Sequence, residues 1–145
     1  IFTMAIKRHH YIGRTFIEPT EDLRGIGVSR KFTVVDEIVR GKIVVVVDDA
    51  IVRLHTALII NELLRWAGAK EVHWRIACPP IRWSCRYGID TPTREELAAA
   101  NMSIDEMRIR IGADSLEFLP LEALMELETS PNAFCYACMT GKYPL

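Results

Sequence analysis

Five β-branched residues, Ile43 to Val47, follow the turn signal Arg40-Gly41 with no polar interruption. A short unbroken apolar run of this kind predicts a strand over residues 42–47 buried on both faces, the pattern of a central parallel strand. Asp48-Asp49 closes it. The period then changes. Ile60, Leu63, Leu64 and Ala67 recur at helical spacing and predict a core-facing helix over 56–67 that stops at Gly68. Leu54 and Leu58 fall beside that stripe, and Ile59 and Trp66 line another edge. They read either as a wider buried face or as an apolar contact surface. Residues 72–78 alternate, with Val72, Trp74, Ile76 and Cys78 on one side, and Pro79-Pro80 stops them. They predict the next strand, with Trp74 in the core. Residues 42–78 thus form one βαβ unit, right-handed by the general rule for such crossovers.

Beyond it, Thr93-Arg94-Glu95-Glu96 reads as a capping box opening a helix to Ala100. Ser103-Ile104-Asp105-Glu106 reads as a second one, opening a helix that ends before Gly112. Residues 115–119 predict a short strand, and Pro120 suits the first turn of a helix reaching Glu128. The tail 129–145, with Pro131, Gly141 and Pro144, predicts irregular structure. Residues 11–31 carry Gly13, Pro19, Gly25 and Gly27 among interleaved charges and read as a long flexible loop. The whole, 1–145, reads as a single α/β domain.

Composition narrows the function classes. The 145 residues are 50% apolar and 26% charged, which is ordinary globular chain with enough length for a real core. A net charge of −1 supplies no field for nucleic acid or an anionic membrane surface, so neither is expected as a partner. No apolar stretch approaches a membrane span, and IFTMAIKRHH carries no secretory signal, so the expected location is cytoplasmic. The absence of Met at position 1 reads as a fragment or a processed product. Cys78, Cys85, Cys135 and Cys138 could make disulfides, but a CxxC in an intracellular chain leans toward metal or cluster ligation. His9, His10 and His73 have no ligand-like spacing.

Ligands of open α/β sheets bind outside the carboxyl ends of strands, which here is the stretch Asp48 to Thr56. Adjacent carboxylates can accept hydrogen bonds from sugar hydroxyls. The following turn leads to a helix N-terminus, whose free N–H groups favour phosphate. The pair fits a ribose 5-phosphate. Equally, the two acids could simply end a strand and cap a helix.

VVVVDDAIVRLHT (44–56) is similar to the phosphoribosyl pyrophosphate signature. YIGRTFIEPT (11–20), GAKEVHWRIACPPIRWSCRYGIDTPTREELAAAN (68–101), IGADSLEFL (111–119) and CYACMTGKYP (135–144) resemble amidophosphoribosyltransferase in the same order. The resemblance covers nearly the whole chain. It implies a type I phosphoribosyltransferase-like parallel sheet with flanking helices, incomplete at its N-terminus, with an irregular cysteine-containing C-terminal tail. It also implies that the glutaminase domain, with its cysteine nucleophile, and the first part of the transferase domain lie outside this chain.

The family reaction displaces pyrophosphate from C1 of phosphoribosyl pyrophosphate with ammonia drawn from glutamine, opening purine synthesis. On that resemblance Asp48 and Asp49 hold the ribose hydroxyls and are candidate Mg²⁺ ligands. Ala50, Ile51, Val52, Arg53, Leu54, His55 and Thr56 cradle the 5′-phosphate. Arg14, Thr15 and Lys31 belong to a catalytic loop that closes over the substrate. The implied cofactors are Mg²⁺ and, in one cysteine-rich branch, a [4Fe–4S] cluster with Cys85, Cys135 and Cys138 as three of its four ligands. The implied partners are phosphoribosyl pyrophosphate, purine nucleotides and further copies of the chain.

The signature departs from the family pattern in its cradle. Ala50 stands where Ser is usual, Leu54 where Gly is usual, and His55 where a small polar residue is usual. Gly there permits positive φ or close backbone approach to phosphate, so Leu54 is expected to weaken substrate binding. The alternative function is therefore a catalytically silent or engineered derivative of the domain, acting as a structural or assembly module.

Overall fold

The computed structural model describes residues 2–8, 32–127 and 134–144. Its centre is a parallel sheet of β3 (Ile43–Asp48), β4 (Glu71–Ile76) and β5 (Ser115–Phe118), in that spatial order. The register aligns Val45 with His73 and His73 with Ser115. A small antiparallel pair, β1 (Ile6–Arg8) and β2 (Phe32–Val34), matches Ile6 to Val34 and is followed by the short helix α1 (Asp36–Val39).

Between β3 and β4 runs α2 (His55–Trp66), which ends where Gly68 takes φ +87°. After β4 come a 3₁₀ turn (Arg94–Glu96), α3 (Ala98–Asn101) and α4 (Ile104–Ile111). The chain continues into β5, then α5 (Leu121–Met125) and α6 (Ala137–Thr140). The Ser103 capping box forms as the sequence predicts: its hydroxyl accepts from the Glu106 N–H, and the Glu106 carboxylate accepts from the Ser103 N–H. That start, and Gly112 at φ +77° beyond the end, fix the length of α4.

One face of the sheet carries Val72, Trp74, Ile76 and Leu116 into the core, against Ala57, Ile60 and Leu64 of α2 and Met107 and Ile111 of α4. Trp74 is fully buried, as expected. Its indole N–H donates to Asn61 Oδ1 at 3.2 Å, and the Asn61 amide donates to the Gly112 carbonyl at 3.1 Å. The buried Asn61 therefore has both ends satisfied and ties strand, helix and turn together.

Several expectations change. β3 is not a central strand buried on both faces. Among the described residues it pairs with β4 alone, and Ile43, Val45 and Val47 are exposed. Its apolar run is continuous because both faces are apolar, but α2 and α4 cover only one. The Thr93 capping box does not form. Thr93 makes no side-chain cap, and Leu97 turns to an extended conformation so that the Ala98 N–H reaches the Val52 carbonyl at 2.9 Å. The tail is not wholly irregular, since α6 lies within it and Gly141 ends that helix at φ +77°. Leu54 is buried and Leu58 half-buried, which supports the wider core face, while Trp66 stays exposed.

Candidate functional site

The acidic pair sits at the carboxyl end of β3, where the chain leaves the sheet. The Asp48 carbonyl accepts from the Ala77 N–H at 2.9 Å, which fixes the strand end against the exit of β4. Asp48 Oδ1 accepts from the Asp49 N–H at 3.0 Å, and Asp49 Oδ1 accepts from the Ala50 N–H at 2.7 Å. Each carboxylate thus spends one oxygen on the backbone of its own turn. Burial raises the Asp48 carboxyl above its ordinary value, opposed by the Asp49 backbone hydrogen bond and reinforced by the neighbouring Asp49 charge. Neither acid forms an ion pair among the described residues, so they are not part of a salt-bridged core.

A cavity of about 300 Å³ lies beside Asp48 and is lined by Ala50, Ile51, Val52, Arg53, Leu54, His55, Thr56 and Ala57. The structure therefore brings the predicted cradle together with Asp48 around one space, whose lining does not include Asp49. Arg53, His55 and Thr56 are exposed, and Ile51 is buried beneath them. Leu54 is the N-cap of α2 and adopts φ +66°, ψ −21°. It is the only non-glycine residue with positive φ among those described. The turn thus requires the left-handed conformation that Gly adopts freely, and an L side chain there costs roughly 1–2 kcal/mol. The Leu54 side chain, 3% exposed in the core, offsets that cost by burial.

Two partners of the turn escape sequence reasoning. Glu96 Oε2 lies 2.9 Å from Arg53 Nε, and Ala98 holds the Val52 carbonyl. Both come from the segment read as a capped helix, and no local pattern announces a contact across 43 residues. Arg14, Thr15 and Lys31, and with them the 11–31 loop, lie outside the described residues.

All four cysteines are free thiols. Burial raises the Cys138 thiol, and the charges of Cys85 and Cys135 raise it further. Burial likewise raises Cys78, with smaller contributions from Cys138 and Asp49. The thiols thus share one neighbourhood, and Cys78 joins it to the acidic pair. They do not converge into a coordination group: among the described residues no set of three or more His, Cys, Asp or Glu is placed to hold a metal. The tail is ordered by other means. The Cys138 carbonyl accepts from the Arg82 and Trp83 N–H groups at 2.9 Å each, and Tyr143 donates to the Ser84 carbonyl at 2.6 Å. Gly141 packs so close under Trp83 that an added Cβ would lie 2.8 Å from the ring. His73 hydrogen-bonds Ser115 and Glu71 rather than any cysteine.

A parallel three-stranded sheet packed against helices, with an acidic turn at the carboxyl end of β3, makes this an α/β unit with its candidate site at a strand end. Over 99% of its length the chain is similar to amidophosphoribosyltransferases, at 53% identity to the chloroplastic enzyme of Vigna aconitifolia and 47% to the Bacillus subtilis amidophosphoribosyltransferase. It spans 30% and 31% of those relatives. A solved structure of the Bacillus subtilis glutamine phosphoribosylpyrophosphate amidotransferase, complexed with ADP and GMP, superposes with a TM-score of 0.83 at 48% identity. The superposition covers 98% of this chain and 32% of that one. No family model matches the chain. Among the described residues no helix is long and apolar enough to cross a membrane.

Proposed function

We propose that the chain is the ribose-phosphate-binding segment of an amidophosphoribosyltransferase. The observation that carries this is the placement of Asp48 and the Ala50–Thr56 turn around one cavity at the strand end, leading into the N-terminus of α2. The free oxygens of Asp48 and Asp49 accept from the ribose 2- and 3-hydroxyls. The turn, Arg53 and the first N–H groups of α2 face the 5′-phosphate. In the reaction proposed for the longer protein, ammonia nitrogen bonds to C1 and pyrophosphate leaves with the bonding pair. The nitrogen then sheds a proton. Arg14, Thr15 and Lys31 are proposed as the loop that excludes water from this step.

Mg²⁺ fits the acidic pair: hard carboxylate oxygens remain free on both residues, and the ion habitually takes its other ligands from water and substrate phosphates. Bound there, it supplies charge neutralisation for pyrophosphate. The iron–sulfur cluster does not fit this chain alone, since the neighbouring thiols of Cys85, Cys135 and Cys138 form no coordination group. No step is derived through it. The strain at Leu54 and the pairing of Arg53 with Glu96 favour a second reading, a segment with a weakened cradle that serves assembly more than catalysis.

Calorimetric titration with phosphoribosyl pyrophosphate and Mg²⁺ tests the proposal. Weak binding is expected, falling at least tenfold in Asp49→Asn with the circular dichroism spectrum unchanged, about the loss of one charged hydrogen bond. Equal binding by both forms sinks it. So does no binding even after Ala50→Ser, Leu54→Gly and His55→Thr are combined.

A further inference from the structure

We propose that Asn101 is a positioning residue for the cradle: its side-chain amide holds a broken turn, and that turn pins the cradle backbone at Val52. For its ligand the inference rests on the functional reading above. Its geometry rests on hydrogen bonds alone.

The box Thr93-Arg94-Glu95-Glu96 favours a continuous helix reaching Ala100. In such a helix the Ala98 N–H would return to the Arg94 carbonyl. The chain does otherwise. Thr93 supplies no side-chain cap, and Leu97 turns extended at φ −74°, ψ 115° with its side chain fully buried. The Ala98 N–H is thereby delivered to the Val52 carbonyl at 2.9 Å. The Arg94 carbonyl loses that donor and keeps the Leu97 N–H at 3.2 Å.

Asn101, the last residue of α3, supplies what the break removes. Its Nδ2 donates to the Arg94 carbonyl at 3.0 Å, to the Glu95 carbonyl at 3.0 Å and to the Leu97 carbonyl at 2.8 Å. An amide nitrogen carries two hydrogens, so the three carbonyls share them, and the acceptor end of the amide could not take this place. The bonds require the break. In a continuous helix Asn101 would stand about 10 Å along the axis from Arg94, beyond the reach of its side chain. Asn101 therefore stabilises the broken turn over the helix that the local sequence favours.

The effect reaches the site through the backbone. Val52 lines the cavity beside Asp48 and precedes the left-handed step at Leu54. Holding its carbonyl fixes the plane of the peptide that leads into Arg53. Asn101 itself is not part of the cavity lining, so it acts through Ala98 and Val52.

Asn101→Ala and Asn101→Asp test this against the unsubstituted residue. All three forms carry Glu96→Gln, so that the carboxylate on Arg53 does not compete with phosphate. Asn101→Asp keeps the shape and loses the donors. Amide exchange followed by nuclear magnetic resonance reads the turn, and calorimetry with phosphoribosyl pyrophosphate and Mg²⁺ reads the site. In both variants the Ala98 N–H is expected to exchange at least tenfold faster, and the amide shifts of residues 53–56 to move. The Met107 N–H, bonded to the Ser103 carbonyl at 3.0 Å, is expected to keep its rate. Binding is expected to weaken about fivefold. Unchanged exchange at Ala98 overturns the proposal. So does equal acceleration at Ala98 and Met107, which marks a general loss of stability. Faster exchange at Ala98 with the shifts of residues 53–56 or the affinity unmoved also overturns it, because the turn then does not govern the cradle. If no form binds phosphoribosyl pyrophosphate, the transferase reading falls, and the exchange and shift results decide the role of Asn101 without it.

Discussion

Arg53 and Glu96 meet at 2.9 Å beside the cavity next to Asp48, so the guanidinium of a cavity-lining residue is already paired with a carboxylate. Both side chains are about half exposed, at 40% and 51%, which makes the pair a minor contributor to stability. Its consequence is for binding. On the proposed function, a phosphate must compete with a carboxylate already in place. Glu96→Gln removes the competing charge and keeps a side chain of the same shape. It is expected to strengthen binding of phosphoribosyl pyrophosphate about two- to fivefold in calorimetry while shifting unfolding free energy by less than about 1 kcal/mol. Weaker binding in Glu96→Gln would show that Glu96 orients Arg53 rather than occupying it.

Leu54 sets stability against function in the same turn. Leu54→Gly relieves the left-handed strain, roughly 1–2 kcal/mol, but removes a buried leucine, whose loss costs about 2–5 kcal/mol. The net expectation in urea unfolding is a loss of about 1–3 kcal/mol. Phosphate binding should nonetheless improve, because the backbone can then approach the ligand. Adding His55→Thr and Ala50→Ser restores donors worth about 0.5–1.5 kcal/mol each. Equal binding by the restored and present forms would remove the turn as the cause of weak affinity.

The βαβ unit is legible in the sequence because its two periods are clean: Val72, Trp74 and Ile76 alternate into the core while Ile60 and Leu64 follow the helical repeat. The Ser103 box is legible because all its partners lie within three residues. What fails is whatever depends on a distant partner. The Ile43 to Val47 run shows that both faces are apolar, but not which is covered among these residues. Thr93 offers a helix start that the Val52 carbonyl overrides by drawing in Ala98. The acidic pair is legible from its place after a strand, and the need for positive φ at Leu54 follows from the family pattern. The Arg53–Glu96 pair has no local signature.

The thiols carry a prediction of their own. Burial, then the neighbouring charges of Cys138 and Asp49 for Cys78 and of Cys85 and Cys135 for Cys138, hold these two thiols toward the protonated form, and the described residues offer no coordination group. The chain purified anaerobically with iron and sulfide is therefore expected to lack the broad visible absorbance of an iron–sulfur cluster. It should keep the Trp83–Gly141 contact that orders its tail. Cluster absorbance lost together in Cys85→Ser and Cys138→Ser would reverse this and show that the thiols reorganise around metal.

Asp48 offers the sharpest pH test. Its carboxyl is raised above the ordinary value, chiefly by burial and further by the Asp49 charge, so the ionised form is disfavoured in the folded protein. A raised folded value gives stability that is fully present below the unfolded value, about 3.9, and lost as pH rises through the folded value. At neutral pH the protein thus carries the cost of an ionised Asp48. Asp48→Asn removes that charge and keeps an oxygen to accept from the Asp49 N–H. It is expected to melt above the parent at pH 7, with the difference shrinking to nothing as pH falls below about 3.9. Binding of phosphoribosyl pyrophosphate should move the opposite way, weakening about tenfold for the lost charged acceptor. A variant less stable than its parent at pH 7 would mean that the Asp48 charge is compensated by groups around the cavity. A stabilised variant that binds as well as its parent would take the carboxylate out of the site.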